Sequence, residues 1–404
     1  MEITALHTCT IGLDIHHRQI TACVLKTVGD GEVISEFREF GTFKRNLRQL
    51  AAWVAGHQPD DVVMESTGIY WKSPYAALEK VGIHARVVNA RHVKNVPGRK
   101  TDIQDAQWLA MLSRSGLLNG SFIPAQCLRE ARLISRQRQK LVDQRSAEKN
   151  RLHKLLTDAG IRLSVVITDL HGRSGRKTIR GLIRGEPAEH LLSYADTRLK
   201  ASAEALHDAL EGDLSACHRF TLERLLAHID FLDAQVSAFD QQLMAQLADY
   251  QPALALLTTL PGIDEVSAAL LLAEIGDDMS LFGCADKIAS WAGLCPGNNE
   301  SAGKRKSGKT RKGNYWLRRV LCECAQAARR TRCQFKSKYE ALASRRGSKK
   351  AIIAIAHKLL RTLFAMLQTG ECYRDSEVDY EALVVKKNAP RWLRMLKKYG
   401  HLTA

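Results

Sequence analysis

Four carboxylates stand at positions where charged groups are costly or crowded. Asp14 and Glu65 each end a short apolar run of the kind that forms a buried strand, where an unpaired charge is unfavourable. Asp102 and Asp105 are three residues apart, so a helix would place them on one face. Carboxylates brought together repel one another, and a divalent cation relieves that repulsion. Ligands that are all oxygen favour Mg²⁺, with Mn²⁺ as a possible substitute.

The helical pair of acids carries little weight alone, because the chain has 43 Asp and Glu residues and such spacing is common. Asp14 and Glu65 strengthen the metal hypothesis because each lies at the end of a predicted strand. A site with two metal ions could activate an attacking oxygen and stabilise a leaving one in phosphoryl transfer.

The elements that must position these acids follow from the hydrophobic periodicity. Alternating and β-branched runs predict strands and 3–4 spacing predicts helices; the predicted strands are 8–16, 19–27, 32–40, 61–65 and 84–89, and the helices are 43–57, 70–81 and one that starts near 102. The order β-β-β-α-β-α-β-α is that of a ribonuclease H-like domain of the RuvC type. In that fold the first strand, the fourth strand and the last helix converge, and they carry the four acids.

The middle of the chain is predicted to be helical and basic. Residues 126–158 form one long helix without Gly or Pro, 172–185 resemble a basic loop, and 198–249 form a second helical stretch. The basic stretches are candidate RNA contacts. Apolar residues of the second stretch follow a coiled-coil spacing; they are Leu222, Leu225, Ile229, Leu232, Val236, Phe239 and Leu243. Packing within the chain and dimerisation both remain open for this seam.

The last third begins with residues 260–276, which resemble a helix-hairpin-helix. Such a turn offers backbone amides to a phosphate at a helix start, although a plain helix-helix turn is equally compatible. A loop rich in Gly and Asn follows at 296–314. Its cations suit a nucleic-acid backbone, as do two arginines on the next helix; the set is Lys304, Arg305, Lys306, Lys309, Arg311, Lys312, Arg318 and Arg319. Ser301 in this loop could be an ordinary loop residue, a phosphate contact or a nucleophile.

The bulk composition points to a polyanionic partner. The net charge is +17, and residues 301–350 hold 17 Lys and Arg against two Glu. A charge concentrated in this way favours nucleic acid as the partner. No run approaches the ~18 apolar residues of a membrane span, and no signal peptide is evident. The ten cysteines lack zinc spacing, which indicates reduced thiols in a cytoplasmic protein.

The order of motifs resembles that of a known family. Asp14, Glu65 and Asp102-x-x-Asp105 are followed by P-x4-S-x-G-K around Ser301 and then by G-N-x-x-L-R. This pattern resembles the DEDD transposases of the insertion-sequence 110 family, whose relatives include the Piv-type DNA invertases. Ala302 stands where that family commonly has glycine, and Ser307 is a reserve candidate for the serine.

The resemblance implies a function, a cofactor and partners. It implies a transposase that recombines donor and target DNA under the guidance of a structured non-coding RNA. The four acids would bind Mg²⁺, and Ser301 would form a transient phosphoserine linkage to DNA. Holding two duplexes implies a homodimer or tetramer, assembled through the coiled coil. The implied composite site takes acids from one domain and serine from another, either within one subunit or between two.

The expected fold class is α/β plus all-α, in three domains. Residues 1–125 would be RuvC-like, 126–255 a helical coiled-coil connector, and 256–404 a mostly α-helical transposase domain with the serine loop. Two other functions remain open. A junction-resolving nuclease of the RuvC type would use the same acids with water as the nucleophile. A non-catalytic nucleic-acid-binding protein would retain the acids as a relic.

Overall fold

The computed structural model describes residues 5–29, 31–65, 68–89, 93, 105–194, 201–297, 299–301, 304–307, 310, 312–376 and 378–401, with the backbone alone at 299–301, 304–307 and 381. The chain divides into two compact units, Met1–Ile123 and Pro124–Ala404. Each unit is considered separately below. The mixed α/β character of the first and the mostly helical character of the second confirm the predicted class.

The first unit has the predicted order of elements. They are β1 (Cys9–Ile15), β2 (Gln19–Val28), β3 (Glu32–Gly41), α1 (Lys44–Gly56), β4 (Asp61–Glu65), α2 (Lys72–Glu79), β5 (Arg86–Val88) and α3 (Asp105–Arg114). The helix predicted at 70–81 is shorter by two residues at each end. The strand predicted at 84–89 begins two residues later and ends one residue earlier.

One five-stranded sheet forms the centre of this unit, in the order β3-β2-β1-β4-β5. The first three strands are antiparallel, whereas β4 runs parallel to both β1 and β5. Ile11 and Leu13 pack towards α1 and α2, while Val63 packs under α3. Helices cover both faces of the central strands, which explains why these strands are continuous apolar runs and not alternating ones.

The second unit consists mostly of helices. They are α4 (Gln126–Asp158), α5 (Leu163–Val166), α6 (Arg173–Arg184), α7 (Ala188–Leu192), α8 (Ala203–Leu210), α9 (Ala216–Gln246), α10 (Gln251–Thr258), α11 (Glu265–Ile275), α12 (Ala285–Trp291), α13 (Tyr315–Ala328), α14 (Gln334–Arg346), α15 (Ser348–Thr369) and α16 (Tyr380–Lys398), with a hairpin of β6 (Asn299–Ser301) and β7 (Lys304–Ser307).

One prediction for the middle of the chain needs correction, and the helical stretch predicted at 198–249 forms two helices, α8 and α9. Residues 173–184, predicted as a loop, form α6, because Ile179 and Leu182 bury an apolar stripe that the many arginines obscure in the sequence. Between α8 and α9 the chain turns at 211–215, and Gly212 lies against the carbonyl of Ala159.

The predicted coiled-coil seam is buried inside the chain. α9 runs antiparallel along α4, as the Arg138–Asp240 and Arg145–Asp233 ion pairs at 2.5 and 2.8 Å show. Leu232 and Val236 of the seam pack on Leu141 of α4. The alternative of packing within the chain is therefore the one that this structure contains. A self-association surface has to be sought elsewhere.

Helix α15 forms the core of the carboxy-terminal part. Ile355, Leu359 and Leu363 on it are fully buried. Among the described residues, it is the one helix whose length and composition would allow it to cross a membrane, yet half of its apolar window is buried inside the protein. Burial of this kind is what a core helix requires.

Candidate functional site

Asp14 and Glu65 lie at the same edge of the sheet. β1 and β4 are parallel neighbours, and Leu13 is opposite Met64. The next residue on each strand is one of the two acids, so the register places them side by side at a spacing of about 4.8 Å between strands. The Asp14 side chain is 23% exposed, and its Oδ2 is 3.1 Å from Nε2 of His16. This edge can therefore gather carboxylate oxygens within reach of solvent.

Helix α3 begins on the side of the sheet towards this edge. Thr10 donates its hydroxyl to the carbonyl of Ala110 at 3.0 Å, and a Cβ on Gly12 would lie 2.0 Å from the carbonyl oxygen of Ala106. Residues later in β1 therefore lie next to residues earlier in α3. The first described residue of this helix is Asp105.

The side-chain directions agree with this placement. Asp14 is two residues beyond Gly12, and Glu65 is two residues beyond Val63, which packs under α3. Residues two apart on a strand share a face. Both acids therefore project to the side of the sheet on which α3 begins.

Asp102 lies outside the described residues, so the set of four acids stays a prediction. Among the residues that the structure describes, no group of three or more His, Cys, Asp and Glu side chains lies close enough to hold a metal ion. The donor chemistry at the edge nevertheless fits Mg²⁺ or Mn²⁺, since Asp14, Glu65 and Asp105 offer only carboxylate oxygens.

Another acid on β4 has a structural role. Asp61 begins the strand, and its side chain is only 10% exposed. It accepts hydrogen bonds from Arg86 Nε at 2.8 and 3.0 Å and from the hydroxyl of Ser113 on α3. Arg86 also donates to the carbonyl of Leu118 at 2.8 Å. This cluster joins β4, β5 and α3 at the end of the sheet opposite Glu65.

The serine segment, predicted as a loop at 296–314, contains a β-hairpin. β6 pairs antiparallel with β7, with Ser301 opposite Lys304 and Asn299 opposite Ser307. An isolated bridge between Pro296 and Thr310 continues the pairing towards the base. Ser301 therefore lies at the end of β6 that is farther from the base, whereas the reserve candidate Ser307 lies nearer the base. The side chains of these serines and of Lys304–Lys306, as well as Lys309 and Arg311, are outside what the structure describes.

The base of the hairpin is fixed by close backbone contacts. A Cβ on Gly313 would lie 2.3 Å from the nitrogen of Gly293, so only glycine permits this approach. The next residue, Asn314, donates its backbone N–H to the carbonyl of Trp291 at 3.0 Å. Its side chain caps α13 by accepting from the N–H groups of Trp316 and Leu317 at 3.0 and 3.2 Å.

A fully buried carboxylate, Glu274, connects this base to the long helix α4. Asn314 donates Nδ2 to Glu274 Oε2 at 2.7 Å, and Arg136 donates Nε and one terminal nitrogen to its two oxygens at 2.8 Å each. Arg132 is 3.5 Å away, and burial lowers its pKa to about 10. Glu274 is not among the site residues predicted from the sequence; its signal there is a single acid within the apolar run 268–275, where a charge requires partners.

Among the cations predicted to bind nucleic acid, Lys312 and Arg319 differ in how far their charge is free to contact a phosphate. Lys312 is exposed, whereas the Arg319 side chain is 18% exposed and pairs with Asp143 at 2.6 Å and with Glu323 at 3.0 Å. The hydrogen bond to Asp143 raises the pKa of Arg319, which stays fully charged. Part of its charge is therefore already neutralised inside the chain.

Many arginines of the middle segment likewise hold the helices together. Arg176 of α6 pairs with Asp230 and Asp233 of α9, and Arg180 pairs with Asp230 at 2.9 Å. Arg145 of α4 joins the same group through Asp233. The basic composition of 129–154 and 173–184 is thus explained in part by internal ion pairs.

The predicted helix-hairpin-helix turn is packed against the protein. A Cβ on Gly262 would lie 2.5 Å from the carbonyl oxygen of Cys324. Asp264 caps α11 by accepting from the N–H of Ser267 at 2.7 Å. Although partial burial raises the pKa of Asp264, the hydrogen bonds from Ser267 outweigh this and lower it. A carboxylate at this helix start repels phosphate, so the plain-turn interpretation is favoured.

Comparison with known proteins identifies the same two regions. A family model of DEDD transposases of the IS110 type matches residues 11–161, and a model of the transposase IS116/IS110/IS902 family matches residues 254–340. The first range contains the four acids, and the second contains Ser301 with its basic neighbours.

Relatives that align with most of the chain are described as transposases. A probable family 20 transposase of Pseudomonas aeruginosa is 25% identical over 78% of this chain and 85% of its own. The transposase for insertion sequence element IS1111A of Coxiella burnetii is 25% identical over 81% and 82%, and that for IS1328 of Yersinia enterocolitica is 26% identical over 69% and 73%. The chain belongs to the IS110 family of transposases.

Proposed function

We propose that this transposase is an RNA-guided DNA recombinase that cuts and rejoins strands through a phosphoserine at Ser301, with Mg²⁺ held by Asp14, Glu65, Asp102 and Asp105. The observation that carries the proposal is the convergence of Asp14, Glu65 and the start of α3 at one sheet edge. Membership of a transposase family supports DNA cleavage and recombination in general, and the proposal adds the chemistry and the guide.

The acids and the metal would share one task. Bound Mg²⁺, or Mn²⁺ in its place, would polarise the scissile phosphate and stabilise charge on the attacking and leaving oxygens. The carboxylates of Asp14 and Glu65 would hold it, and the adjacent parallel strands fix their separation. Asp61 lies outside this task because Arg86 and Ser113 already engage it.

The serine would conserve the energy of the broken bond. As Ser301 Oγ loses its proton and bonds to phosphorus, the bond from phosphorus to the 3′ oxygen breaks, and that oxygen takes up a proton. The 3′ hydroxyl of another strand then attacks the phosphoserine, which reforms a phosphodiester and returns the serine hydroxyl. Because each step exchanges one phosphoester for another, strand exchange needs no ATP.

The partners follow from the same proposal. The basic segment 301–350 would contact the donor and target DNA, and a structured non-coding RNA would select them. We retain three functional divisions, 1–125 for the metal site, 126–255 as connector and 256–404 for the serine. The protein would act in the cytoplasm as a dimer or tetramer. Sequencing the RNA that copurifies with it tests guidance, since a discrete RNA supports it and random RNA contradicts it.

Trapping the covalent intermediate tests the serine. Labelled donor DNA is incubated with protein and Mg²⁺, and the products are resolved on a denaturing gel. The parent is expected to give a protein–DNA adduct, and Ser301→Ala to give none. Ser307→Ala is the matched control in the same hairpin and should keep the adduct. If the adduct is lost in Ser307→Ala and kept in Ser301→Ala, the nucleophile is Ser307.

The same gel separates the rival functions. A nuclease of the RuvC type, which the acids at the sheet edge would also suit, uses water and therefore cleaves DNA in Ser301→Ala without any adduct. A non-catalytic binding protein gives neither product in any variant. If Asp14→Asn and Glu65→Gln recombine DNA as well as the parent does, the proposed metal site is refuted.

A further inference from the structure

Strand β3 is a long, regular edge strand without Lys, Pro or a bulge. Its ten residues pair with β2 from Val28–Glu32 to Gln19–Gly41 without a bulge, and within the described residues no other strand pairs with it. Natural edge strands avoid association by means of Lys, Pro, bulges or short length. β3 has no Lys, Pro or bulge and is ten residues long; its charged residues are three Glu and one Arg. Its outer edge is therefore a template for a further strand.

Apolar side chains are exposed on both faces of this strand. Phe37 pairs with Cys23 of β2, and Cys23 contacts α3, so Phe37 lies on the α3 face of the sheet. Val33, four residues earlier on the strand, lies on the same face. Ile34 lies on the opposite face, where Glu36 accepts a hydrogen bond from Trp53 of α1. Val33 is 41% exposed, Phe37 is 42% exposed and Ile34 is 48% exposed.

The charge of the strand disfavours nucleic acid as its partner. β3 holds three Glu and one Arg, whereas the chain as a whole carries +17. An acidic strand repels a polyanion, and its exposed apolar side chains suit a protein surface. The coiled-coil seam, which suggested self-association, is already filled by α4.

We propose that a second copy of this chain pairs antiparallel with β3, around a twofold axis at Ser35. In such a pair, each residue lies opposite a residue whose side chain is on the same face of the sheet. The twofold axis must therefore pass through a residue of β3, and a change of register moves the axis to another residue. With Ser35 opposite Ser35 of the partner copy, Val33 opposes Phe37 and Glu32 opposes Arg38. The symmetry makes each of these pairs occur twice.

The surroundings of β3 favour this register. A groove of about 290 Å³ lies beside Val33, lined also by Leu25 and Met111, and it is placed to receive Phe37 of the partner copy. Pairing Glu36 with Glu36 would oppose like charges. Pairing Glu36 with Arg38 would compete with the hydrogen bond from Trp53 to Glu36 at 3.1 Å.

Crosslinking of a cysteine at the axis tests the proposal. The full chain carrying Ser35→Cys is treated with a short bismaleimide after removal of nucleic acid, and crosslinked peptides are identified by mass spectrometry. A link between two copies of residue 35 can only join two chains, even though the protein has ten native cysteines. We expect this link at least tenfold above the self-link of Glu39→Cys, which lies on the same strand face away from the axis. Equal yields, or no link at residue 35, would overturn the proposal.

A charge exchange tests the register. In the Ser35→Cys background, Arg38→Glu and Glu32→Arg should each reduce the link severalfold, because each places like charges opposite one another. The two changes together in one chain should restore it. If the double variant unfolds at the same temperature as the parent but does not recover the crosslink, this pairing is contradicted. If Glu36→Arg combined with Arg38→Glu recovers the crosslink, the competing register is indicated and the proposed one is overturned. The outcome is independent of the phosphoserine chemistry.

Discussion

The side chain of Asn314 donates a hydrogen bond of 2.7 Å to Glu274, a carboxylate with no exposed surface. Asn314 begins helix α13 directly after the serine hairpin, and Glu274 lies near the end of α11. Because Arg136 of α4 binds the same carboxylate, three helices meet at the base of the hairpin.

Removal of the Glu274 charge is expected to destabilise the protein. Glu274→Gln leaves Arg136 and Arg132 without a buried counter-charge, which typically costs about 3–5 kcal/mol. The free energy of unfolding in denaturant measures this. Asp286→Asn is the control, because its ion pair with Arg361 is 75% and 47% exposed and should contribute at most about 1 kcal/mol. Similar losses in the two variants would show that the network does not stabilise the fold.

Enlargement of Gly12 is expected to displace α3 from the sheet. Gly12→Ala introduces a Cβ 2.0 Å from the carbonyl of Ala106, so stability should fall by about 1–3 kcal/mol and the Asp105 end of the helix should shift. Gly56→Ala is a matched change with nothing within 4 Å of the new Cβ. Thermal unfolding of both variants checks this. Equal Tm values would contradict the close packing of α3.

Two carboxylates on adjacent strands should respond differently to the loss of charge. Asp14→Asn should leave Tm unchanged or higher without Mg²⁺ and abolish the rise in Tm that added Mg²⁺ gives the parent, since a metal ligand is lost. Asp61→Asn should lower stability by about 1–3 kcal/mol with or without Mg²⁺, because it weakens the pair with Arg86. A Mg²⁺-dependent rise retained in Asp14→Asn would argue against its role as a ligand.

Asp60 should make stability depend on acid pH. The backbone N–H of Cys9, with the hydroxyl and N–H of Thr8, donates to this carboxylate and lowers its pKa. A pKa lower in the folded than in the unfolded state stabilises the fold above about pH 4, and this stabilisation is lost as the pH falls through the folded value. Asp60→Asn should therefore be less stable than the parent at neutral pH, and the difference should shrink in acid. A constant difference between pH 7 and pH 3 would contradict the assignment.

Lys312 and Arg319 should differ in their effect on DNA binding. Lys312 is exposed, so Lys312→Gln should reduce the slope of log affinity against log salt by about 1 if it contacts a phosphate. Arg319→Gln should change that slope less and lower stability instead, because Asp143 and Glu323 hold the arginine. Salt titrations of binding, with unfolding curves for both variants, measure the two effects. The reverse ranking would contradict the internal role of Arg319.

The sequence allowed the first unit to be predicted well because its central strands β1 and β4 are buried on both faces. Apolar runs that end in Asp14 and Glu65 indicate both the strands and the positions of the acids, and the parallel pairing of β1 with β4 follows from the order of elements. The direction of α3 across β1 was not predictable, since it depends on the absence of a side chain at Gly12.

The second unit was harder to predict because its charges have partners distant in sequence. Arg176 and Arg180 made α6 resemble a solvated loop, yet Asp230 and Asp233 pair with them from α9. The role of Glu274 was missed for the same reason, as Arg136 lies 138 residues away.

The closed base of the serine hairpin defines which segment can be exchanged between relatives. Residues 296–312 lie beyond the backbone contact of Gly293 with Gly313, so a replacement limited to them leaves every partner of Glu274 in place. A replacement that extends through Asn314 must also carry α11 and the facing turn of α4 from the same donor. The hairpin is therefore a structural cassette, and its boundary at Gly313 separates residues that the Glu274 network does not constrain from residues that have to be inherited with that network.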